Sequence, residues 1–438
     1  MSDSQLRAWR PDAPAPHPRG LGPRAAAALR AAAPALAVYA AVRALGLVVL
    51  WVAAGASGKD PLTRLSGRWD SVWYQRIAQD GYGYTATLPD GSLHSDLAFF
   101  PLLPALERGV SETTPLTLGG AGLLVAWSAG LLAAWGIFAV GDRLYGRRTG
   151  VVLAALWGVY PTAFVQSMAY TETLFTALAA WSLYAVLRGR WLVAGALCAL
   201  AGLTRPSAAA LIAALAITAA VTLVREYREG RRCGEGREPQ EPQEPQEPQE
   251  PLECSEHRCG GGFGECRAGG GPGAVLRRNA RMLAGVALAP LGWLAYVVFV
   301  AVREGGPFAY FDVQAQWGNS IDGGRALAAF IAGLPLPAAL GLCAALGLLG
   351  GLVALCVRQR QPLPVLVYGI AIVVVSLIGA GYFGSRPRLM MPAFPLLLPP
   401  AAALVRMRST GRTAAVLAVL ACASAAYGAW TLLGAGPP

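Results

Sequence analysis

The sequence predicts an all-α fold, a polytopic transmembrane bundle of about eleven helices. Of its 438 residues, 55% are hydrophobic and only 14% are charged, and the mean hydropathy is +0.46. This composition is too apolar for an ordinary soluble domain. Apolar stretches of about 17 to 25 residues recur along the chain, and a helix of that length crosses the hydrocarbon core of a bilayer. The bilayer is therefore the expected solvent.

The apolar stretches give the positions of the predicted spans. They cover residues 32–55, 119–140, 150–166, 170–187, 191–204, 206–224, 282–302, 326–356, 364–381, 389–405 and 413–433. The fifth stretch is short, and the eighth is long and carries Pro335 and Pro337 near its start. Neighbouring helices in a bundle satisfy the backbone groups that such prolines leave open.

The distribution of arginine predicts the orientation in the membrane. Arginines crowd the amino-terminal tail and alternate loops, and cytoplasmic loops retain Lys and Arg. We therefore expect a multi-pass protein of the cell membrane with a cytoplasmic amino terminus and with loop 56–118 on the extracytoplasmic face. The net charge of +11 is then a feature of topology, and nucleic acid is not an expected partner. The first apolar stretch lacks a cleavage site and is expected to stay as a signal anchor.

The chain divides into four predicted parts. These are a disordered cytoplasmic tail (1–31), helices one to six with the outer loop (32–224), a cytoplasmic linker (225–281) and helices seven to eleven (282–438). The linker contains the low-complexity run EPQEPQEPQEPQEP and a Gly-rich tail, which bury nothing and favour disorder. Its four cysteines and His257 lack paired C-x2-C spacing, so an insertion is favoured over a zinc site.

The first outer loop, residues 56–118, is rich in chemically useful side chains. Wound as a helix, residues 68–80 bring Trp69, Val72, Trp73 and Ile77 to one face, which is the spacing of an amphipathic segment. Tryptophan and tyrosine at this density are typical of the headgroup level. We therefore expect an amphipathic helix that lies in the membrane interface.

Asp70 is the first catalytic candidate because it lies at the border between the apolar and polar faces of this helix. Partial desolvation favours proton uptake by a carboxylate, as a general base requires. The alternative is a surface aspartate that contributes only to solubility.

A family resemblance favours the catalytic interpretation. The run RWDSVWYQRIAQDGYGY at 68–84, followed by LAFFPLLP at 97–104, resembles the signature of the GPI mannosyltransferase II family and its bacterial relatives, membrane enzymes of the GT-C glycosyltransferase class. Weaker similarities follow at SMAYTETLF (167–175), LTRPSA (203–208) and SRPRLMMPAFPLLLP (385–399). The resemblance implies a GT-C-like fold, a sugar donor carried on polyprenyl or dolichyl phosphate, and inverting transfer on the extracytoplasmic face. It also implies an acidic residue in the first outer loop, which matches Asp70.

Such a transfer needs a base for the acceptor hydroxyl and positive charge for the departing lipid phosphate. Asp70 would take the proton, and one carboxylate suffices because the phosphate leaves already ionised. Arg205, Arg386 and Arg388, at predicted outer ends of helices, and Arg68, beside Asp70, are the candidates for binding the donor phosphate. The alternative for these arginines is snorkelling from helix ends.

Further candidates would bind the substrates. They are Trp69, Tyr74, Tyr170, Glu172, Gln316 and Trp317. For Glu172 the alternative is charge at a helix amino terminus, and for Trp317 it is an interfacial aromatic belt. Asp90, His94 and Asp96 resemble metal ligands, but a turn-rich loop uses such residues for local hydrogen bonds. Polyprenyl-phosphate donors also lack the diphosphate that usually demands a metal, so neither metal nor cofactor is expected.

The main alternative from another class is a transporter or flippase of lipid-linked substrates. Such a protein would show internal repeats and charged or broken helices at the bilayer midplane. Here the acidic groups gather at the predicted outer surface, and Arg43 is the plainly intramembrane ionisable residue. The sequence therefore favours an enzyme whose partners are membrane lipids, a polyprenyl-phosphate sugar and an acceptor hydroxyl of a glycolipid, polysaccharide or protein. Mannose is the sugar that the resemblance implies.

Overall fold

Most of the described residues are helical. The computed structural model describes residues 21–88, 91–235, 272–407, 409–434 and 436. Within those ranges the strands are β1 (Thr85–Thr87) and β2 (Leu93–Ser95), which pair antiparallel with Thr85 opposite Ser95. The all-α prediction is confirmed, with this short hairpin as an addition within residues 56–118, the predicted outer loop.

The helices fall on either side of the linker. Those before it are α1 (Leu21–Ala56), α2 (Pro61–Ser66), α3 (Asp70–Asp80), α4 (Leu102–Thr113), α5 (Leu118–Tyr145), α6 (Arg147–Gly158), α7 (Glu172–Leu187), α8 (Trp191–Gly202) and α9 (Ala208–Glu235). Those after it are α10 (Pro272–Arg278), α11 (Ala280–Leu288), α12 (Leu291–Glu304), α13 (Ala309–Gln316), α14 (Arg325–Gly333), α15 (Leu336–Arg358), α16 (Leu363–Ile378), α17 (Arg386–Met390), α18 (Leu398–Arg406) and α19 (Thr410–Leu433).

The helices make this a multi-pass membrane protein. Within the described residues, 6 helical segments are long and apolar enough to cross a bilayer. They are α1, α5, α9, α11 together with α12, α15 and α19. The bent pair that contains α17 and α18 would make 7. Each of the eleven predicted stretches contains a helix, but α7, α8 and α16 are shorter than a full crossing requires. The predicted count is too high by this criterion because hydropathy registers apolar character and not unbroken helix length.

Helix ends differ from the predicted part boundaries. The first helix begins at Leu21 rather than at 32, because the Ala-rich run before the apolar stretch has high helix propensity. Similarly, α9 continues to Glu235 and α10 begins at Pro272, inside the predicted linker. The predicted tail up to 20 and the linker residues 236–271, with His257, lie outside the described residues.

Close backbone packing fixes α8 against α11 and α12. A Cβ atom at Gly195 would collide with the carbonyl oxygen of Gly285, and one at Gly292 with that of Ala199. Small residues allow membrane helices this approach. Since α8 ends at Gly202, its packing fixes the turn that carries Arg205.

Arg43 has a structural role at the end of α6. Its guanidinium donates hydrogen bonds to the carbonyl oxygens of Gly158 and Ala163, where the helix stops and the chain turns. Carbonyls at a helix end lack intrahelical partners, and within a bilayer they need one from the protein. This intramembrane charge is therefore accounted for without a transport pathway.

Candidate active site

Asp70 is held by an unusual backbone at the start of α3. The preceding residue, Trp69, has φ 54° and ψ −128°, a conformation that costs a non-glycine residue about 1–3 kcal/mol. The Ser71 hydroxyl donates to the Arg68 carbonyl oxygen at 2.6 Å, which closes the turn. The backbone N–H of Asp70 donates to the Tyr170 hydroxyl at 3.2 Å. Asp70 is thus directed toward the segment that leads into α7.

A chain of ion pairs runs from Asp70 into the protein. Arg388 Nη2 lies 2.8 Å from Asp70 Oδ2, and Arg388 Nε lies 3.6 Å from Glu172 Oε1. Arg205 Nη1 lies 2.6 Å from the same Glu172 oxygen. Two carboxylates therefore face two guanidiniums. The Glu172 side chain is 1% exposed and that of Asp70 is 27% exposed, so Asp70 is the end of the chain that solvent reaches.

Hydroxyl and aromatic groups lie beside the chain of ion pairs. The Arg388 guanidinium lies 5.1 Å from the ring centre of Tyr170, a cation–π contact. Thr171 Oγ1 lies 3.4 Å from Arg205 Nη1 and 3.3 Å from the Tyr74 hydroxyl. Burial raises the pKa of the Tyr74 phenol, which therefore stays neutral. Tyr74, Tyr170, Glu172, Arg205 and Arg388, all predicted site residues, are brought together around Asp70.

Local structure explains why these residues converge. Glu172 is in the first turn of α7, where a carboxylate is favoured by the helix dipole. The segment before it is tied down by the Ala169 N–H, which donates to the Leu65 carbonyl oxygen at 3.0 Å. Arg388 lies on the one-turn helix α17, and the pair of helices that contains α17 and α18 is bent by 73°. Arg388, which precedes this bend, reaches Asp70 at the start of α3.

Two other predicted phosphate-binding arginines, Arg68 and Arg386, contact backbone carbonyl groups at helix ends. Arg68 donates to the carbonyl oxygens of Leu432, at 3.2 Å, and Gly434, at 3.0 Å, at the end of α19. Arg386 donates to the carbonyl oxygens of Ser376, Leu377 and Gly379 at the end of α16. Both guanidiniums satisfy carbonyls that a helix end leaves open. The structure therefore shows Arg68 at the end of α19 and Arg386 at the end of α16.

The predicted substrate-binding tryptophans and Gln316 also lie outside the chain of ion pairs. Trp317 donates from Nε1 to the Ser95 carbonyl oxygen at 2.9 Å and stacks on His94 at 4.1 Å, which fastens the hairpin to α13. Gln316 is exposed, and the Trp69 ring packs under the Arg68 guanidinium.

The buried face of α3 also differs from the prediction. Ser71, Tyr74, Ile77 and Ala78 are buried, whereas Val72 is 43% exposed. The helix is rotated because α3 packs against α4 and α5. A location in the membrane interface remains a prediction.

The metal-like residues of the hairpin have local roles. Buried Asp96 accepts hydrogen bonds from the N–H groups of Gly83 and Tyr84, each at 2.9 Å. Asp90 lies outside the described residues. In the part of the chain that is described, no group of three or more His, Cys, Asp or Glu side chains is arranged to hold a metal.

Sequence reasoning missed Thr171 and Glu107. Glu107, on α4, is fully buried, and neither carboxyl oxygen has a hydrogen-bond partner among the described residues. Burial raises its pKa to about 9, so the side chain is neutral at pH 7. It lies against Gly122 of α5, close to Ala169. Its position one turn after buried Leu103 is the helical spacing that could have identified it.

The comparisons with known proteins gave likenesses among solved structures only. No family model and no curated protein matches the chain. The structure of ArnT from Cupriavidus metallidurans bound to undecaprenyl phosphate is 17% identical, with a TM-score of 0.48, and the alignment covers 87% of this chain and 63% of ArnT. The apo structure of the same protein is 18% identical, with a TM-score of 0.47, and the alignment covers 85% of this chain and 61% of that one.

A third structure is the archaeal oligosaccharyltransferase AglB from Archaeoglobus fulgidus with an inhibitory peptide and a dolichol-phosphate. It is 14% identical, with a TM-score of 0.44, and the alignment covers 90% of this chain and 56% of AglB. This chain therefore spans less than two thirds of the length of these proteins. At these TM-scores the likenesses establish neither family nor reaction, so the functional proposal rests on the side chains of this chain.

Proposed function

We propose that this chain is an integral membrane glycosyltransferase of the GT-C class. It transfers a sugar from a polyprenyl-phosphate donor to an acceptor hydroxyl, with inversion. One observation carries the proposal: Asp70, Arg388, Glu172 and Arg205 form a continuous chain of ion pairs between the outer loop and the membrane helices. A base beside positive charge is what transfer from a lipid phosphate requires.

The exposure of the side chains supports a division of roles. Asp70 is the more exposed carboxylate, and it accepts the proton of the attacking hydroxyl. The Arg205 and Arg388 side chains are each 11% exposed, so a phosphate held by them is shielded from water. Arg388 Nη1 is buried and has no hydrogen-bond partner among the described residues, which leaves a donor for a phosphate oxygen.

Glu172 acts by holding the two arginines. Its oxygen pairs with Arg205 and lies within ion-pair distance of Arg388. Because the side chain is 1% exposed, the direct contact with sugar expected from the sequence would require these pairs to open. We therefore assign Glu172 a positioning role.

The finer features of the proposal come from the sequence. The arginine distribution favours a cytoplasmic amino terminus and an active site on the extracytoplasmic face. The resemblance of residues 68–84 and 97–104 to the GPI mannosyltransferase II family favours mannose as the sugar. Glycolipid, polysaccharide and protein hydroxyls are the candidate acceptors.

The test is transfer of radiolabelled mannose from polyprenyl-phosphate mannose into lipid, polymer and protein fractions. Membranes would contain the wild type, Asp70→Asn, or the control Asp80→Asn, whose carboxylate is exposed at the far end of α3. We expect incorporation by the wild type and the control, and a loss of about 10²-fold or more in Asp70→Asn. If folded wild type incorporates no label from mannose or any other polyprenyl-phosphate sugar, the enzyme proposal fails and a transporter or flippase becomes the better account.

A further inference from the structure

The Arg388 guanidinium faces both the base and the place assigned to the phosphate. Its Nη2 lies 2.8 Å from Asp70 Oδ2, and its Nε lies 3.6 Å from Glu172 Oε1. Its Nη1 is buried without a hydrogen-bond partner among the described residues. A guanidinium binds a phosphate best as a two-pronged fork, and here one of the two terminal prongs is occupied by the carboxylate of Asp70.

The charges of the ion-pair chain are balanced before a phosphate is added. Asp70 and Glu172 carry two negative charges, and Arg205 and Arg388 carry two positive charges. A sugar phosphodiester brings one more negative charge into a site whose arginines are shielded from solvent. An unpaired charge is costly in such surroundings. The phosphate and Asp70 therefore require the same positive charge.

We propose that the donor phosphate and Asp70 compete for Arg388, so that donor binding releases the Asp70 carboxylate to act as the base. This inference rests on the proposed function and specifies how its site is regulated. When Arg388 turns to the phosphate, both oxygens of Asp70 become available. The acceptor oxygen then bonds to the anomeric carbon, the bond from that carbon to the phosphate oxygen breaks, and its electron pair stays on the phosphate. The hydroxyl proton goes to Asp70.

The surroundings of Arg388 suit a small movement of its terminal nitrogens. Glu172 is buried, and its Oε1 lies 3.6 Å from Arg388 Nε and 2.6 Å from Arg205 Nη1. Glu172 therefore holds Nε in place while the terminal nitrogens of Arg388 turn. The Tyr170 ring, 5.1 Å from Arg388 Cζ, stabilises the cation in either position. The competition is thus a change of partner for one side chain. Its consequence is an order of events, in which the acceptor is deprotonated only after the donor has bound.

The test is the affinity for undecaprenyl phosphate, measured with purified protein in nanodiscs. Asp70→Asn removes the competing charge, so it should bind the lipid phosphate about tenfold more tightly than wild type, since the binding-competent arrangement is then fully populated. The control Asp80→Asn should bind like wild type. In an Arg388→Gln background, Asp70→Asn should bring no gain. Asp70→Ala provides a second variant, and the thermal unfolding midpoint verifies that each protein is folded.

The outcomes separate this inference from the proposed function. If Asp70→Asn and Asp70→Ala bind the lipid phosphate no better than wild type, the competition is overturned, and the transferase assay on wild type stands on its own. A gain that survives in the Arg388→Gln background also overturns it, because the gain would not pass through Arg388. If no folded variant binds undecaprenyl phosphate, the proposed function fails together with the inference.

Discussion

Arg205 and Arg388 differ from Arg108 in the kind of carboxylate that they contact. Both pair with a buried carboxylate, whereas Arg108 forms an exposed pair with Glu112 on the surface of α4. Lysine keeps the charge but lacks the planar fork that matches a phosphate. Arg205→Lys should therefore raise KM for the donor by about tenfold, a loss near 1.4 kcal/mol. Steady-state assays with the lipid-linked donor test this.

The matched control for that substitution is Arg108→Lys, because Arg108 forms an exposed pair with Glu112. Its KM for the donor should equal that of wild type, because exposed ion pairs contribute little. Equal KM values for Arg205→Lys and wild type would contradict the proposal that Arg205 binds the donor phosphate.

Glu107 gives a prediction about pH. Its folded-state pKa of about 9 exceeds the ordinary value of 4.5, so the folded chain keeps a proton that the unfolded chain releases. The free energy of unfolding should therefore fall as pH rises from about 4.5 to about 9, by up to about 1.4 kcal/mol per pH unit. In Glu107→Gln this part of the decline should vanish. Thermal unfolding midpoints measured from pH 5 to pH 9 check this, and parallel curves for the two proteins would contradict it.

At the residue scale, the sequence predicts that arginines are needed to bind a phosphate. It does not predict which arginines instead donate to backbone carbonyl groups at helix ends. Arg386 and Arg388 are two residues apart on α17, and both were predicted to bind phosphate. The first reaches the end of α16 and the second reaches Asp70. Nothing in their spacing distinguishes the two, because the choice depends on where α16 ends in space.

At the scale of elements, the contact of α8 with α12 supports the turn that carries Arg205. Gly292→Ala would place a methyl group against the Ala199 carbonyl, which should lower stability by about 1–3 kcal/mol. It should also reduce transfer, because Arg205 follows α8. The control is Gly350→Ala on α15, where no neighbouring element lies within 4 Å of the added methyl group. It should not lower stability and should raise it by up to about 1 kcal/mol, because alanine has the higher helix propensity. Thermal unfolding and transfer assays on both variants test the contact. If Gly292→Ala and Gly350→Ala have the same stability and transfer activity, close contact of α8 with α12 is not required.

Helix existence could be predicted from the sequence, whereas the angles between broken helices could not. The apolar stretches correspond to helices throughout, since a run of apolar residues is a strong signal. The prolines of the stretch 389–405 disfavour a continuous helix, but they do not specify the 73° bend between the helices on either side of Pro392. That bend depends on partners such as the Tyr368 hydroxyl, which donates to the Pro392 carbonyl oxygen at 3.1 Å. Such partners come from distant parts of the chain.

At the scale of the whole molecule, the orientation in the membrane is a prediction that labelling can test. Thr87 is exposed on β1 of the predicted outer loop, and Arg358 is exposed at the end of α15. In a background without native cysteines, a membrane-impermeant maleimide added to intact cells should label Thr87→Cys and not Arg358→Cys. After permeabilisation both should react. If only Arg358→Cys is labelled in intact cells, the orientation is the opposite of the predicted one and Asp70 faces the cytoplasm.

The residues of the candidate site are divided between the two sides of the linker. Asp70, Glu172 and Arg205 precede residue 236, whereas Arg388 follows residue 271. The two halves are joined by packing of α1 on α19 and of α8 on α11, and Tyr296 donates to the Leu97 carbonyl oxygen at 2.9 Å. The candidate site therefore needs both parts of the chain, as a site between two different subunits needs both subunits. Expressed as two separate fragments, each half would lack a charge that the other supplies, and recovered transfer on co-expression would report their assembly.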